Sequence, residues 1–88
     1  MPLYAITYDI PDDRRRTKVA KLLKRYGNHV QYSVFELDVD RRLLQRALKE
    51  LKRLIDEESD SVFVYPLAAA PKRLSGSLQV EEGEGFVV

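Results

Sequence analysis

Asp9 is the carboxylate of this chain whose position best suits metal chemistry. It closes the segment LYAITYD (residues 3–9) and is followed at once by Ile10-Pro11-Asp12-Asp13. A carboxylate at a strand end beside a helix start can hold a hard cation such as Mg²⁺, which takes oxygen ligands and keeps several waters. One Asp is a thin ligand set, but a two-fold axis near Asp9 would bring two copies together and make a shared site. A metal held there can activate water and stabilise charge on a phosphodiester. The same residue can instead open a turn by accepting from the next backbone amides. The spacing Asp9-x-x-Asp12-Asp13 lacks the glycine and ligand intervals of an EF-hand, which removes a calcium-loop reading.

Arg14-Arg15-Arg16 falls in the first turn of the helix that follows. Cations there oppose the helix macrodipole by about 0.3–1 kcal/mol each when exposed. Arg16 can offset part of this by pairing with Asp12 or Asp13. In functional terms the cluster would bind phosphate beside the free amides of the helix start; in bland terms it is a solvated face. His29 is the only histidine, so mechanisms needing two histidines are excluded within one subunit. It can act as a general acid or base, or simply pack after Gly27. Ser33 and Phe35 alternate on one face of the next strand region. Ser33 suits a phosphate contact; Phe35 suits base stacking or packing in a core or interface. The tyrosines Tyr4, Tyr8, Tyr26, Tyr32 and Tyr65 occupy core-like positions. Glycine-rich phosphate loops, Ser-His-Asp arrangements and nucleotide fingerprints are absent.

These residues need elements to hold them. Residues 3–9 read as a strand with Tyr4, Ile6 and Tyr8 on one face and Leu3, Ala5 and Thr7 on the other. Both faces are largely apolar, so helices are expected on one and a partner subunit on the other. Residues 12–26 read as a helix, with Val19, Leu22, Leu23 and Tyr26 as its apolar stripe. Asp12 serves as its N-cap and Gly27 as its C′ residue. Residues 29–39 are extended, as one bent strand or two strands meeting near Tyr32–Ser33. Residues 40–55 form a second helix capped by Asp40. Its stripe is Leu44, Leu48, Leu51 and Ile55, flanked by Leu43, Ala47 and Leu54. SVFVYPL (61–67) is strand-like, and Pro66 places it at an edge or a strand end.

The expected architecture is therefore α+β. It is a ferredoxin-like β-α-β-β-α-β antiparallel sheet with two helices on one face. The 88 residues make one domain, with a core over about residues 3–67. The tail, about residues 68–88, has two short apolar pieces, Leu78–Val80 and Phe86–Val88, and acts in dimerisation. A short strand there would pair with the sheet edge of its own subunit or of the partner, covering an exposed edge.

Composition narrows the remaining choices. The chain has no cysteine, which excludes disulfides, thiolate zinc sites and cysteine nucleophiles and fits a reducing cytoplasm. Its apolar runs are too short to span a bilayer, and Met-Pro-Leu-Tyr leads straight into a strand pattern rather than a signal peptide. Net charge is only +1, but residues 1–55 carry 13 Lys/Arg against 7 Asp/Glu, and residues 56–88 carry 2 against 7. This asymmetry allows a basic face for a polyanion. A domain of this size has a thin core and gains from oligomerisation.

The strings YDIPDDRRRTKVAKLL, then YG and HVQYSVFEL, then DSVFVYPL, resemble the CRISPR-associated Cas2 family in order and spacing over residues 3–67. The last twenty residues match in kind only. The resemblance implies a ferredoxin-like homodimer that exchanges a C-terminal strand. It implies that Asp9 is the metal carboxylate, facing its symmetry mate across one shared Mg²⁺. It also links Tyr8, Arg16, Ser33 and Phe35 to activity. Lys18 and His29 stand where some members have arginine. Lys18 keeps the charge of a nucleic-acid contact beside Arg14, Arg15 and Arg16, but loses bidentate phosphate recognition.

Two roles follow from the resemblance. One is a Mg²⁺-dependent endonuclease acting on RNA, including single-stranded RNA, or on double-stranded DNA. The other is a non-catalytic bridge between Cas1 integrase subunits that holds double-stranded DNA for spacer acquisition in antiviral defence. A toxin-type ribonuclease of the same fold and a small-molecule-binding regulatory domain are the alternatives. The basic helices and the specific motif weigh against the second of these.

Overall fold

Each helix begins where the sequence supplies an oxygen acceptor. In the computed structural model, which describes residues 3–68, 79–80 and 86–87, the Asp12 carboxylate accepts from the Arg15 amide at 2.9 Å. The Asp40 carboxylate accepts from the Leu43 amide at 2.8 Å. These caps satisfy donors that have no partner inside a helix, and they open α1 (Asp13–Lys24) and α2 (Arg41–Leu54). The strands are β1 (Leu3–Asp9), β2 (Asn28–Gln31), β3 (Val34–Asp38) and β4 (Ser61–Leu67).

The four strands form one sheet in the order β2-β3-β1-β4, and every pairing is antiparallel. With a helix after β1 and another after β3, this is the ferredoxin-like plan expected from the sequence. The extended stretch divides into two strands at Tyr32–Ser33, and the register shifts between His29 and Gln31. β4 is an edge strand, which accommodates Pro66. β5 (Gln79–Val80) and β6 (Phe86–Val87) pair with each other rather than with the four-stranded sheet. Most of the tail expected to add to a partner lies outside the described residues.

One core joins the helices to one face of the sheet. Ile6, Phe35 and Leu37 from the strands meet Val19, Leu22 and Leu23 from α1 and Leu44, Ala47 and Leu51 from α2. The stripe of α2 is centred on Ala47, with Leu48 and Ile55 only partly buried at its margin. The other face of the sheet carries no helix. There Leu3, Ala5 and Thr7 are half-buried and Asp9 is exposed. Phe63 and Tyr65 of β4 join them, 56% and 48% exposed, with ring centroids 6.3 Å apart. No helix among the described residues is long and apolar enough to cross a membrane.

Two sequence readings are corrected here. Gly27 does not supply a left-handed C′ residue, because Arg25 caps α1 and places Tyr26 at C′, and the Gly27 backbone is not left-handed. A Cβ at Gly27 would stand 2.1 Å from the Glu36 carbonyl oxygen, so glycine lets β2 and β3 meet. The tyrosines are not uniformly core. Tyr8 is buried, but Tyr32 occupies the β2–β3 turn at 88% exposure and Tyr65 lies on the open face.

A half-buried ion pair ties the start of α1 to the turn before β4. The Asp60 side chain is fully buried and accepts from Arg15 Nε at 2.8 Å and Arg15 Nη2 at 3.1 Å. It also accepts from the Asp56 amide at 2.8 Å, and Arg15 Nη2 reaches Ser59 Oγ at 3.2 Å. The Arg15 guanidinium holds the Asp60 carboxyl below the usual carboxylate range. The unfolded chain therefore takes up this proton first as pH falls. The stability it supplies is complete above about pH 4 and is lost as pH drops through the native value. Asp60→Asn should unfold at lower urea concentration at neutral pH and lose this acid-dependent component below about pH 4. Urea melts across a pH series will show parallel curves for the two proteins if the pair is not the cause.

Candidate functional site

The residues singled out by sequence fall into three places. Asp9 ends β1 on the open face, opposite Ser61 of β4. Its acidic neighbours are engaged: Asp12 caps α1, Asp13 pairs with Arg16, and Asp60 pairs with Arg15. Among the described residues the Asp9 carboxylate has no hydrogen bond or ion pair, and no group of three or more His, Asp or Glu side chains could hold a metal. Asp9 thus offers hard oxygen donors, as Mg²⁺ requires, but within one chain it offers them alone.

The second place is a cleft on the helix side, about 490 Å³ in volume. Tyr8, Arg16, Thr17 and Ala20 line one wall, and His29, Tyr32 and Ser33 the other. Sequence alternation explains why Tyr8 and Asp9 part company: neighbouring residues of a strand face opposite sides of the sheet. Arg16 is fixed by donating to the Ile10 carbonyl at 2.8 Å and by pairing with Asp13. The Ser33 carbonyl accepts from the Tyr8 amide at 3.1 Å, which holds the turn against β1. Burial pushes the Tyr8 phenol up from its ordinary value, and the charge of Arg16 partly opposes this. The phenol is therefore a proton-bearing donor at neutral pH.

Phe35 lies beneath this cleft and is fully buried. Its ring stacks on His29, with centroids 4.4 Å apart and planes 4° apart, and lies 6.3 Å from the Tyr8 ring. Of the roles its position allows, Phe35 thus takes core packing rather than base stacking, since a ligand cannot reach its face. It acts by setting the positions of Tyr8 and His29. His29 is held by that stack and by a hydrogen bond from Nε2 to the Tyr32 carbonyl.

The third place is a basic ridge on α1. Arg14 and Lys18 are exposed there, with Lys21 a turn further on. Arg15 does not join them, because the Asp60 carboxylate takes its guanidinium. Lys21 was not anticipated, although spacing at i, i+4 and i+7 from Arg14 marks it as part of one helix face. Tyr32 was missed for another reason: its exposure depends on a turn that no glycine or proline announces.

An open sheet face that ends in Asp9, backed by two helices of which α1 carries a basic ridge, defines a small α+β domain of the ferredoxin-like plan. A family model described as CRISPR associated protein Cas2 matches residues 1–73, and the chain belongs to that family. A CRISPR-associated endonuclease Cas2 of Thermus thermophilus is 53% identical over 66 residues, covering 75% of this chain and 73% of the relative. A CRISPR-associated endoribonuclease Cas2 of Synechocystis is 50% identical over 68 residues, covering 77% and 74%. Among solved structures, Streptococcus pyogenes Cas2 has a TM-score of 0.71 at 35% identity and covers 75% of this chain and 86% of that one. A chain of a partial Cas6-RT-Cas1–Cas2 complex has a TM-score of 0.60 at 31% identity, covering 76% and 79%.

Arg16 should lower the ionisation midpoint of Tyr8, since a nearby cation favours phenolate. Arg16→Ala is expected to move that midpoint further up in an ultraviolet difference titration, with Tyr8→Phe marking the band. An unmoved midpoint would show that the two groups do not interact across the cleft.

Proposed function

We propose that the chain works as a homodimer in CRISPR adaptation, holding double-stranded DNA between Cas1 integrase subunits. In the same reading Asp9 and its symmetry mate hold one Mg²⁺ and support cleavage of phosphodiester bonds in RNA or DNA. The observation that carries this is the placement of Asp9. It is the carboxylate left without a protein partner at that corner, and it stands on the one sheet face that no described element of the chain covers. The exposed Phe63–Tyr65 pair on that face favours burial against a second copy. A two-fold axis there would supply the second carboxylate that one chain lacks.

The bound ion would polarise the scissile phosphate and lower the pKa of a water. The chain's own residues do the rest. Arg14, Lys18 and Lys21 bind phosphates along α1 without reading sequence. Arg15 keeps the start of α1 in place, and so keeps Asp9 close to that ridge. The names of the relatives, endonuclease and endoribonuclease, support the cleavage reading; the relative solved in a complex with Cas1 supports the bridging one.

Asp9→Ala separates the two activities. It should abolish Mg²⁺-dependent cleavage while DNA binding and spacer acquisition persist. Cleavage by this variant at the wild-type rate would remove Asp9 from the nuclease, and loss of acquisition would make the metal site part of integration. Replacing Arg14, Lys18 and Lys21 with Ala should weaken duplex binding. The slope of log affinity against log salt should become shallower by about 0.9 for each phosphate that is no longer neutralised. The thermal midpoint of this triple variant should stay near wild type, whereas Arg15→Ala should lower the midpoint.

A further inference from the structure

The cleft between α1 and the β2–β3 turn takes no part in the duplex contacts proposed above and lies on the sheet face opposite that of Asp9. We propose that it binds one unpaired nucleotide at the end of a nucleic acid, its base stacked on Tyr32 and its phosphate held by Arg16. This rests on the reading that the chain binds nucleic acid.

The volume, about 490 Å³, falls within the range of small-ligand sites. The chemistry of its walls is that of a nucleotide. Arg16 spends two of its five N–H donors on Ile10 and Asp13, and three remain for a phosphate. The Thr17 hydroxyl donates to the Asp13 carbonyl and keeps its lone pairs as acceptors. The Ser33 hydroxyl makes no hydrogen bond among the described residues. His29, which lines the same space, donates through Nε2 to the Tyr32 carbonyl and so holds the turn that carries Tyr32.

Tyr32 is the unusual member. Its φ is +29°, a left-handed conformation that side chains other than glycine adopt at a cost. Even so, the residue is 88% exposed, so burial does not offset that conformation. The hydrogen bond from His29 and the stack of His29 on Phe35 hold the turn as it is. An aromatic side chain kept exposed beside a fixed guanidinium and the unbonded Ser33 hydroxyl is suited to stacking a base. A base inside a duplex cannot reach such a cleft, whereas an unstacked one can. A protein segment would fit less well, because the cationic and hydroxyl groups converge on one small volume rather than lining a groove.

The test uses the full chain and DNA duplexes that are either blunt or carry one unpaired 2-aminopurine nucleotide at the 3′ or the 5′ end. Wild type should bind one of the overhanging duplexes more tightly than the blunt one and quench the probe. Tyr32→Gly suits the native φ and should fold. It should lose about tenfold in affinity for that overhang and abolish the quench, leaving blunt-duplex binding unchanged. Tyr32→Trp should restore both. Equal binding of blunt and overhanging ends by wild type would overturn the inference while leaving the duplex-holding role intact. So would a Tyr32→Gly protein that quenches like wild type. Failure to bind either duplex would overturn both readings.

Discussion

The Arg15–Asp60 pair is the interaction on which the rest of this molecule depends. Asp60 is fully buried, and a buried carboxylate is tolerable only when its oxygens are satisfied. Arg15 and the Asp56 amide satisfy them. The pair joins the first turn of α1 to the turn before β4, elements that are 45 residues apart in sequence. Ser61, the next residue, pairs with Asp9 across the β1–β4 ladder. One clamp thus fixes the end of β1, the start of α1 and the start of β4. It also explains a local oddity, since an arginine at a helix start opposes the helix dipole. The tertiary contact outweighs that penalty.

From this fixed corner the two faces of the sheet diverge. The alternation of β1 sends Ile6 and Tyr8 into the core and leaves Thr7 and Asp9 outside. On the inner side Phe35 lies between the Tyr8 and His29 rings, so the aromatic packing of the core shapes the cleft above it. On the outer side Phe63 and Tyr65 remain exposed, and the hydrophobic effect favours covering them. The chemistry therefore divides between a carboxylate on a face suited to a second copy and a cation-bearing cleft on the face that the helices cover.

The three arginines of α1 show why residue type alone does not give a role. Arg14 is exposed on the ridge, Arg15 is consumed by Asp60, and Arg16 is anchored to Ile10 and Asp13 at the cleft. Successive residues of a helix are turned by about 100°, so three neighbours meet three environments.

Much of the fold was legible in the sequence because it rests on local rules. Asp12 and Asp40 are caps by type, the stripes of α1 and α2 follow the helical period, and Pro66 marks an edge. Asp9 was legible as a strand-end carboxylate. What the sequence left open rests on contacts between distant residues. Asp60 gave no sign that it would capture Arg15, and Glu36 none that Gly27 must lack a side chain. The burial of Phe35, the exposure of Tyr32 and the shared cleft of Tyr8, Arg16 and His29 were decided only when the sheet brought β1, β2 and β3 side by side. The periodicity of one chain segment sets which way each side chain points; packing against other segments decides what it meets there.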